Sequence, residues 1–153
     1  MDRTTITDAP NRPSTASVCR SIADALGITG FECNYFEVAP GETFSPCLHS
    51  VEGEEEICFV LEGEATFETE ETQVSVGPGE VVRFDPMEFQ HGLNEGSKSV
   101  VALVLAAPKD TPTGSLICPE CGERDQADIS YAVDGDVRIV SCRACGVDIA
   151  RQD

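Results

Sequence analysis

The chain has 153 residues, and its 28 acidic residues outnumber its 10 basic ones, which gives a formal net charge of −18. Hydrophobic residues make up 41% of the chain, enough for one folded domain with a small appendage. The negative charge repels phosphate, so we expect no binding to nucleic acids or to anionic membranes. No apolar run is long enough to span a membrane, and the polar N-terminus lacks the apolar segment of a signal peptide. These features predict a cytoplasmic protein.

The acidic residues are spread along the whole chain rather than gathered in one block. Only two lysines occur, Lys98 and Lys109, against eight arginines. This composition resembles that of proteins from salt-loving archaea, in which salt screens the repulsion between carboxylates. We therefore expect a halophilic protein, and an acidic patch for a basic partner is the alternative interpretation.

Residues 1–27 are predicted to form an N-terminal arm followed by a short helix. The arm is rich in Thr, Pro, Asn and Asp, which favour irregular structure. Between Ser17 and Leu26 the apolar residues recur at helical spacing, and Gly27 follows as a helix terminator. We expect the helix to occupy this whole interval.

Residues 28–107 carry short segments of alternating or β-branched residues, separated by turns such as Pro40-Gly41 and Gly77-Pro78-Gly79. Strands at this spacing predict an all-β barrel or double-sheet jelly roll. The stretch 108–114, PKDTPTG, is predicted to be a linker. Residues 115–153 then form a second, smaller unit.

That smaller unit contains two Cys-x2-Cys pairs separated by 20 residues, formed by Cys118, Cys121, Cys142 and Cys145. Each pair can supply two thiolates from one tight turn, and two such turns make a closed tetrahedral Zn²⁺ site. A hairpin turned at Asp134-Gly135 would join the pairs. The tail resembles a zinc ribbon, and a unit of this size needs a metal to fold.

Two stretches of the barrel region resemble the motifs of the cupin superfamily. They are APGETFSPCLHSVEGEEEICFVLEGEATFE at 39–68 and GPGEVVRFDPMEFQHGLNEG at 77–96. The resemblance implies a cupin-type double-stranded β-helix, the jelly-roll barrel already expected. It also implies one divalent metal, held by two His and a Glu from the first motif and a His from the second.

The metal motif is imperfect in this chain, and two registers remain open. One places Cys47 and His49 at the two His positions, and the other places His49 and Val51 there. Both put the acidic ligand at Glu56, and the second motif contributes His91. The chain has only two histidines, and both fall on ligand positions of the motif.

The expected barrel site therefore consists of His49, Glu56 and His91, with Cys47 as a fourth candidate. The first three form an open two-His, one-carboxylate set that suits Fe²⁺, whereas Cys47 would favour Zn²⁺; Mn²⁺ and Ni²⁺ also fit such donors. Strand alternation predicts a pocket lined by Val51, Cys58, Val60 and Phe89. A barrel that holds a small molecule without metal is the alternative.

Two kinds of function follow from these expectations. The first is a cupin that binds a divalent metal, a small molecule or both, with dioxygenase or isomerase activity. The second is a non-catalytic module that senses a ligand or acts as a scaffold, with a structural zinc ribbon that docks a protein partner. Cupins commonly pair, so we expect a homodimer in either case.

Overall fold

The fold is known from a computed structural model, which describes residues 1–109, 114–131 and 137–152. The predicted turn at Asp134-Gly135 and the middle of the predicted linker lie outside the described residues. A 3-10 turn at Ile6–Asp8 precedes one short helix, α1 at Ile22–Ala25. The first nine strands are β1 Val18–Ser21, β2 Glu32–Val38, β3 His49–Val51, β4 Glu55–Glu62, β5 Ala65–Thr69, β6 Gln73–Val76, β7 Val81–Phe84, β8 Gln90–Leu93 and β9 Val100–Ala107. Four more follow: β10 Gly114–Ile117, β11 Arg124–Tyr131, β12 Arg138–Cys142 and β13 Asp148–Gln152.

In the described part of the chain the strands form two sheets, as the predicted double-sheet jelly roll requires. One sheet has the order β1-β2-β9-β4-β7, and the other has the order β13-β12-β11-β10-β3-β8-β5-β6. The pairings between the described strands are all antiparallel, and neighbours in the sheets are often distant in sequence. The all-β fold class is therefore confirmed.

The core lies between the two sheets and is built from alternate residues of their strands. Four phenylalanines from different segments form its centre, with neighbouring ring centroids 5.4 to 5.5 Å apart: Phe36, Phe44, Phe67 and Phe84. Fully buried Val38, Val60 and Val100 pack around them. Since these residues come from β2, β4, β5, β7 and β9, their burial holds the two sheets together.

The predicted helix between Ser17 and Leu26 is only partly right. Its first half is β1, which pairs antiparallel with β2 and buries Cys19 and Ser21 on one face. The helix begins after Ser21, whose hydroxyl caps it by accepting a hydrogen bond from the Asp24 N–H at 3.1 Å. The helical spacing of the apolar residues was outweighed by the free edge of β2, which offers β1 a full set of backbone partners.

The C-terminal strands continue one of the two barrel sheets. β10 pairs with β3 of the barrel, and Leu116 lies opposite His49. Gly114, predicted as the end of the linker, is the first residue of β10 and lies opposite Val51. We call residues 114–152 the ribbon. Within the described residues, no helix has the length and hydropathy needed to cross a membrane.

Candidate functional site

The four ribbon cysteines converge as predicted. Their sulfur atoms all lie within 4.8 Å of one another, and the Sγ–Sγ distances are 3.8 Å for Cys118–Cys145 and for Cys121–Cys142. Four sulfurs placed about 2.3 Å from a central Zn²⁺ in a tetrahedron would be separated by about 3.8 Å. The donor set and its spacing therefore fit a tetrahedral metal ion.

The two cysteine turns have the same backbone geometry. The Gly122 N–H donates to the Cys118 carbonyl at 2.9 Å, and the Gly146 N–H donates to the Cys142 carbonyl at 2.8 Å. Both glycines have positive φ, 72° and 75°, a conformation that costs other residues energy. Backbone N–H groups of the first turn, chiefly that of Cys121, lower the pKa of the Cys118 thiol to about 7. Such N–H groups favour the thiolate that a metal requires.

A cavity of about 540 Å³ lies where the ribbon meets the barrel. One wall is the inner face of β2, and a second is the segment that leads into β3. The N-terminal arm and the ribbon close the other sides. Its lining includes Arg12, Glu32, Cys47, His49, Arg138 and Gln152. Its volume is within the range of pockets that hold small molecules.

His49 and Glu56 are brought together through Gln90. The Gln90 amide donates to Glu56 Oε1 at 2.9 Å, and the same nitrogen lies 3.4 Å from His49 Nε2. His49 Nδ1 lies 3.3 Å from the Cys47 carbonyl. Both contacts of the imidazole are longer than an ordinary hydrogen bond, so they hold the ring only weakly.

Burial shifts the ionisation of both groups. It lowers the pKa of His49, which favours the neutral imidazole. Burial, with a smaller contribution from the Glu54 carboxylate, raises the pKa of Glu56 to about 7. One amide thus joins a buried imidazole that is favoured in its neutral form to a buried carboxyl group whose pKa is raised to about 7.

A small crevice of about 20 Å³ adjoins this trio and is lined by His49, Glu56 and Gln90. That volume accommodates about one water molecule. Since His49 lines both the crevice and the larger cavity, it lies between Glu56 and any molecule bound in the cavity.

His91 does not join this cluster. Consecutive strand residues point to opposite faces of a sheet, so Gln90 faces His49 and His91 faces the other way. Its Nδ1 lies 3.0 Å from Glu68 Oε1 and its Nε2 lies 3.0 Å from the Ser45 carbonyl. Both ring nitrogens thus lie against oxygen atoms of Glu68 and Ser45, away from His49 and Glu56.

The expected set of metal ligands in the barrel is therefore not assembled in this arrangement. Among the residues that the structure describes, only the four ribbon cysteines form a group of three or more close metal donors. Cys47 is directed to the ribbon and packs with Leu116, Cys118 and Val140. His49 and Glu56 supply only two donors, which do not fit the expected three-ligand site.

Comparison with known proteins agrees with this architecture. Residues 34–106 match the family model described as a cupin domain. A sugar phosphate isomerase from a cupin superfamily, from Silicibacter pomeroyi DSS-3, is 16% identical with a TM-score of 0.66, over 96% of this chain and 91% of that one. The fold is that of a cupin barrel. No curated protein matches the chain.

Two further solved structures show the same cupin fold. A candidate sugar phosphate isomerase from Acidithiobacillus ferrooxidans is 20% identical with a TM-score of 0.60, over 88% of this chain and 81% of that one. A Cupin 2 conserved barrel domain protein from Salinispora arenicola CNS-205 is 18% identical with a TM-score of 0.61, over 72% of this chain and 92% of that one. The likenesses to the Acidithiobacillus and Silicibacter proteins cover 88% and 96% of this chain, so both extend well beyond residues 34–106.

The residues predicted to line the pocket of the cupin barrel divide into two groups. Val51 lines the cavity together with Cys47 and His49, as strand alternation predicted. Cys58 and Val60 are fully buried in the packed core instead. Phe89 is also buried, and the Arg124 guanidinium of the ribbon lies 4.5 Å from its ring centroid.

Sequence reasoning missed three residues of the site: Gln90, Arg12 and Arg138. Gln90 precedes the histidine of the second motif, and only the strand pairing shows which of the two faces inward. The arginines come from opposite ends of the chain, and no local pattern relates them. The signal in the sequence was that basic residues are scarce in this acidic chain, so each one is a candidate for a specific role.

Proposed function

We propose that this protein is an isomerase-type cupin that binds a small hydroxylated molecule in the cavity and transfers protons with His49. The observation that carries the proposal is the linked His49–Gln90–Glu56 group at the cavity wall. A neutral imidazole can remove a proton from a carbon beside a carbonyl and return it to the adjacent carbon. The enzyme is unchanged at the end of this cycle.

Aldose–ketose interconversion also moves a second proton, from a hydroxyl group to the former carbonyl oxygen. This oxygen-bound proton needs a route of its own. Glu56 can exchange that proton through a water molecule in the adjoining crevice, because its pKa of about 7 populates both forms. Gln90 acts as a positioning residue, since its amide holds Glu56.

The structural likenesses support the substrate class. The two solved structures whose names mention sugar phosphate isomerase cover 96% and 88% of this chain, whereas the Salinispora structure covers 72%. A likeness over 96% of the chain includes residues of both the arm and the ribbon, which form two sides of the cavity here. A sugar phosphate is therefore the ligand class that we propose.

We further propose that the four ribbon cysteines hold a structural Zn²⁺. The 3.8 Å sulfur separations match tetrahedral thiolate ligation, and four protein ligands leave no open position for a substrate. This metal would supply folding energy to the ribbon and take no part in the reaction.

The test is exchange of carbon-bound hydrogen with solvent. The protein is incubated in D₂O with a panel of aldose and ketose phosphates, and deuterium incorporation is followed by proton NMR. We expect exchange with the wild type and a loss of at least about 100-fold in His49→Gln, the scale of general acid–base catalysis. His91→Gln is the matched control, because it alters the other histidine on the opposite sheet face.

The outcomes separate the candidate functions. Exchange that persists in His49→Gln would contradict the proposed role of this residue. Binding of a phosphate without any exchange would favour the non-catalytic ligand-sensing module.

A further inference from the structure

Two carboxamide side chains line the cavity from different sheets. Asn34 lies on β2 of the five-stranded sheet, and Gln152 lies at the end of β13, in the ribbon. Gln152 is only 3% exposed. A carboxamide buried to this extent normally has a hydrogen-bond partner for both its oxygen and its nitrogen.

The oxygen end of each carboxamide is directed at an arginine. Arg12 Nη1 donates to Asn34 Oδ1 at 3.4 Å. Arg138 Nη1 donates to Gln152 Oε1 at 3.3 Å. Because a guanidinium group carries donors only, these contacts determine which end of each amide is the oxygen. The N–H2 end of each side chain is therefore turned away from its arginine.

The nitrogen end of each carboxamide remains available to a ligand. In the part of the chain that the structure describes, neither Asn34 Nδ2 nor Gln152 Nε2 makes a hydrogen bond. Every fully buried side-chain nitrogen or oxygen atom of the described residues has a partner, so these two nitrogens must retain access to open space. The cavity provides that space, since both residues line it. It therefore presents uncharged N–H donors from two sides.

We propose that Asn34 and Gln152 are specificity-determining residues, whose amide N–H groups donate to oxygen atoms of the ligand that carry no proton, carbonyl or phosphate. The inference deepens the proposed function, on which its choice of a sugar phosphate rests. It makes the ribbon part of the ligand site, because Gln152 belongs to β13.

Acid variants separate ligand binding from the contact with arginine. Gln152→Glu and Asn34→Asp keep an oxygen for the arginine, but they replace the N–H2 group with a second oxygen that can only accept. The ligand oxygen would then face an acceptor instead of a donor. We expect each variant to weaken binding by at least about 10-fold, because a hydrogen bond is lost and an unpaired acceptor is left.

Binding is measured by isothermal titration calorimetry on the metal-loaded full chain, with the aldose and ketose phosphates of the exchange panel as probes. A salt concentration of about 1 M screens charges more than about 3 Å apart, so the added carboxylate does not repel a phosphate at long range. Gln73→Glu is the matched control, because Gln73 is exposed and does not line the cavity. It should change the affinity by less than about twofold.

Two smaller probes identify the oxygen atom that is bound. Inorganic phosphate presents phosphate oxygens alone, and dihydroxyacetone presents a carbonyl group without a phosphate. The probe that carries the recognised oxygen should bind more weakly to the acid variants than to Gln73→Glu. Equal metal content and circular dichroism of all variants ensure that each is folded.

A purely structural role for Gln152 gives a different result. If this residue only held Arg138, Gln152→Met would weaken binding and Gln152→Glu would not. That result would overturn the inference, as would an affinity within about twofold of the wild type in either acid variant. Absence of binding by every probe would also overturn it.

The failure of this inference differs from failure of the proposed function. Binding that depends on Asn34 and Gln152, with no deuterium exchange in any sugar phosphate, would support the inference and refute the isomerase. Exchange that depends on His49, with unchanged binding in both acid variants, would do the reverse.

Discussion

The buried group of His49, Gln90 and Glu56 can be tested at Glu56. Burial of this carboxyl group makes the free energy of unfolding depend on pH. Glu56→Gln removes the ionisable proton and keeps a side chain of nearly the same shape. Its amide oxygen can still accept the hydrogen bond that Gln90 donates to Glu56 Oε1 at 2.9 Å. The variant therefore isolates the cost of ionising a buried carboxyl group.

The magnitude follows from the two pKa values. Folding raises the pKa of Glu56 from 4.5 to about 7, so the folded protein holds this proton more tightly than the unfolded chain. The stability that this provides is present below pH 4.5 and is lost as the pH rises through 7. Its full loss amounts to about 3 kcal/mol. Glu56→Gln should match the wild type near pH 4, apart from a constant offset, and gain about 3 kcal/mol on it by pH 8.5.

Other groups around Glu56 do not disturb this comparison, because they are the same in both proteins. Glu54, Asp85 and Glu88 line the same crevice. The lowered pKa of His49 has the opposite effect, since it removes stability as the pH falls below about 6.5. That contribution cancels in the difference between variant and wild type.

The assay is denaturant unfolding at intervals between pH 4 and pH 8.5, with the free energy of unfolding extrapolated for both proteins. A difference that stays constant across this range would refute the reasoning, because it would mean that Glu56 ionises as readily in the folded protein as in the unfolded chain. The description of Glu56 as a buried carboxyl group with a raised pKa would then be wrong.

Three further predictions concern the metal site, the barrel turns and the second histidine. Cys118→Ser should release the ribbon metal and increase amide hydrogen exchange in β3 as well as in the ribbon, measured by elemental analysis and mass spectrometry. Gly63→Ala should destabilise the protein by about 1–3 kcal/mol more than Gly53→Ala in denaturant unfolding. Both glycines have positive φ, but only at Gly63 would an added Cβ lie 2.5 Å from a backbone oxygen. His91→Gln should leave the metal content per chain unchanged, and a loss of metal would place this histidine in a barrel metal site.

The fold and the convergence of the four ribbon cysteines could be predicted because their signals are local. Alternation along each short strand and glycines at the turns define a jelly roll, whatever the order of its strands. The two Cys-x2-Cys pairs each fix two sulfurs within one turn. Only their mutual approach depends on the rest of the fold, and β11 and β12 provide it by pairing.

The composition of the buried trio could not be predicted, because it depends on strand pairing. A shift of one residue reverses the face of every side chain in a strand. The second motif presents Gln90 and His91 side by side, and the resemblance to metal-binding cupins favoured the histidine. The structure pairs Gln90 with His49 and His91 with Glu68, which reverses that assignment.

The attachment of the ribbon has a consequence for both parts of the chain. A unit of about 40 residues buries too small a core to fold without a metal or a further contact. Here β3 supplies the missing strand and Cys47 adds a barrel side chain to the ribbon's buried cluster. The same strand begins with His49, the residue that faces the cavity. Loosening of the ribbon would therefore release the backbone of His49 and open one side of the cavity, and we expect this to happen before the barrel core is disturbed.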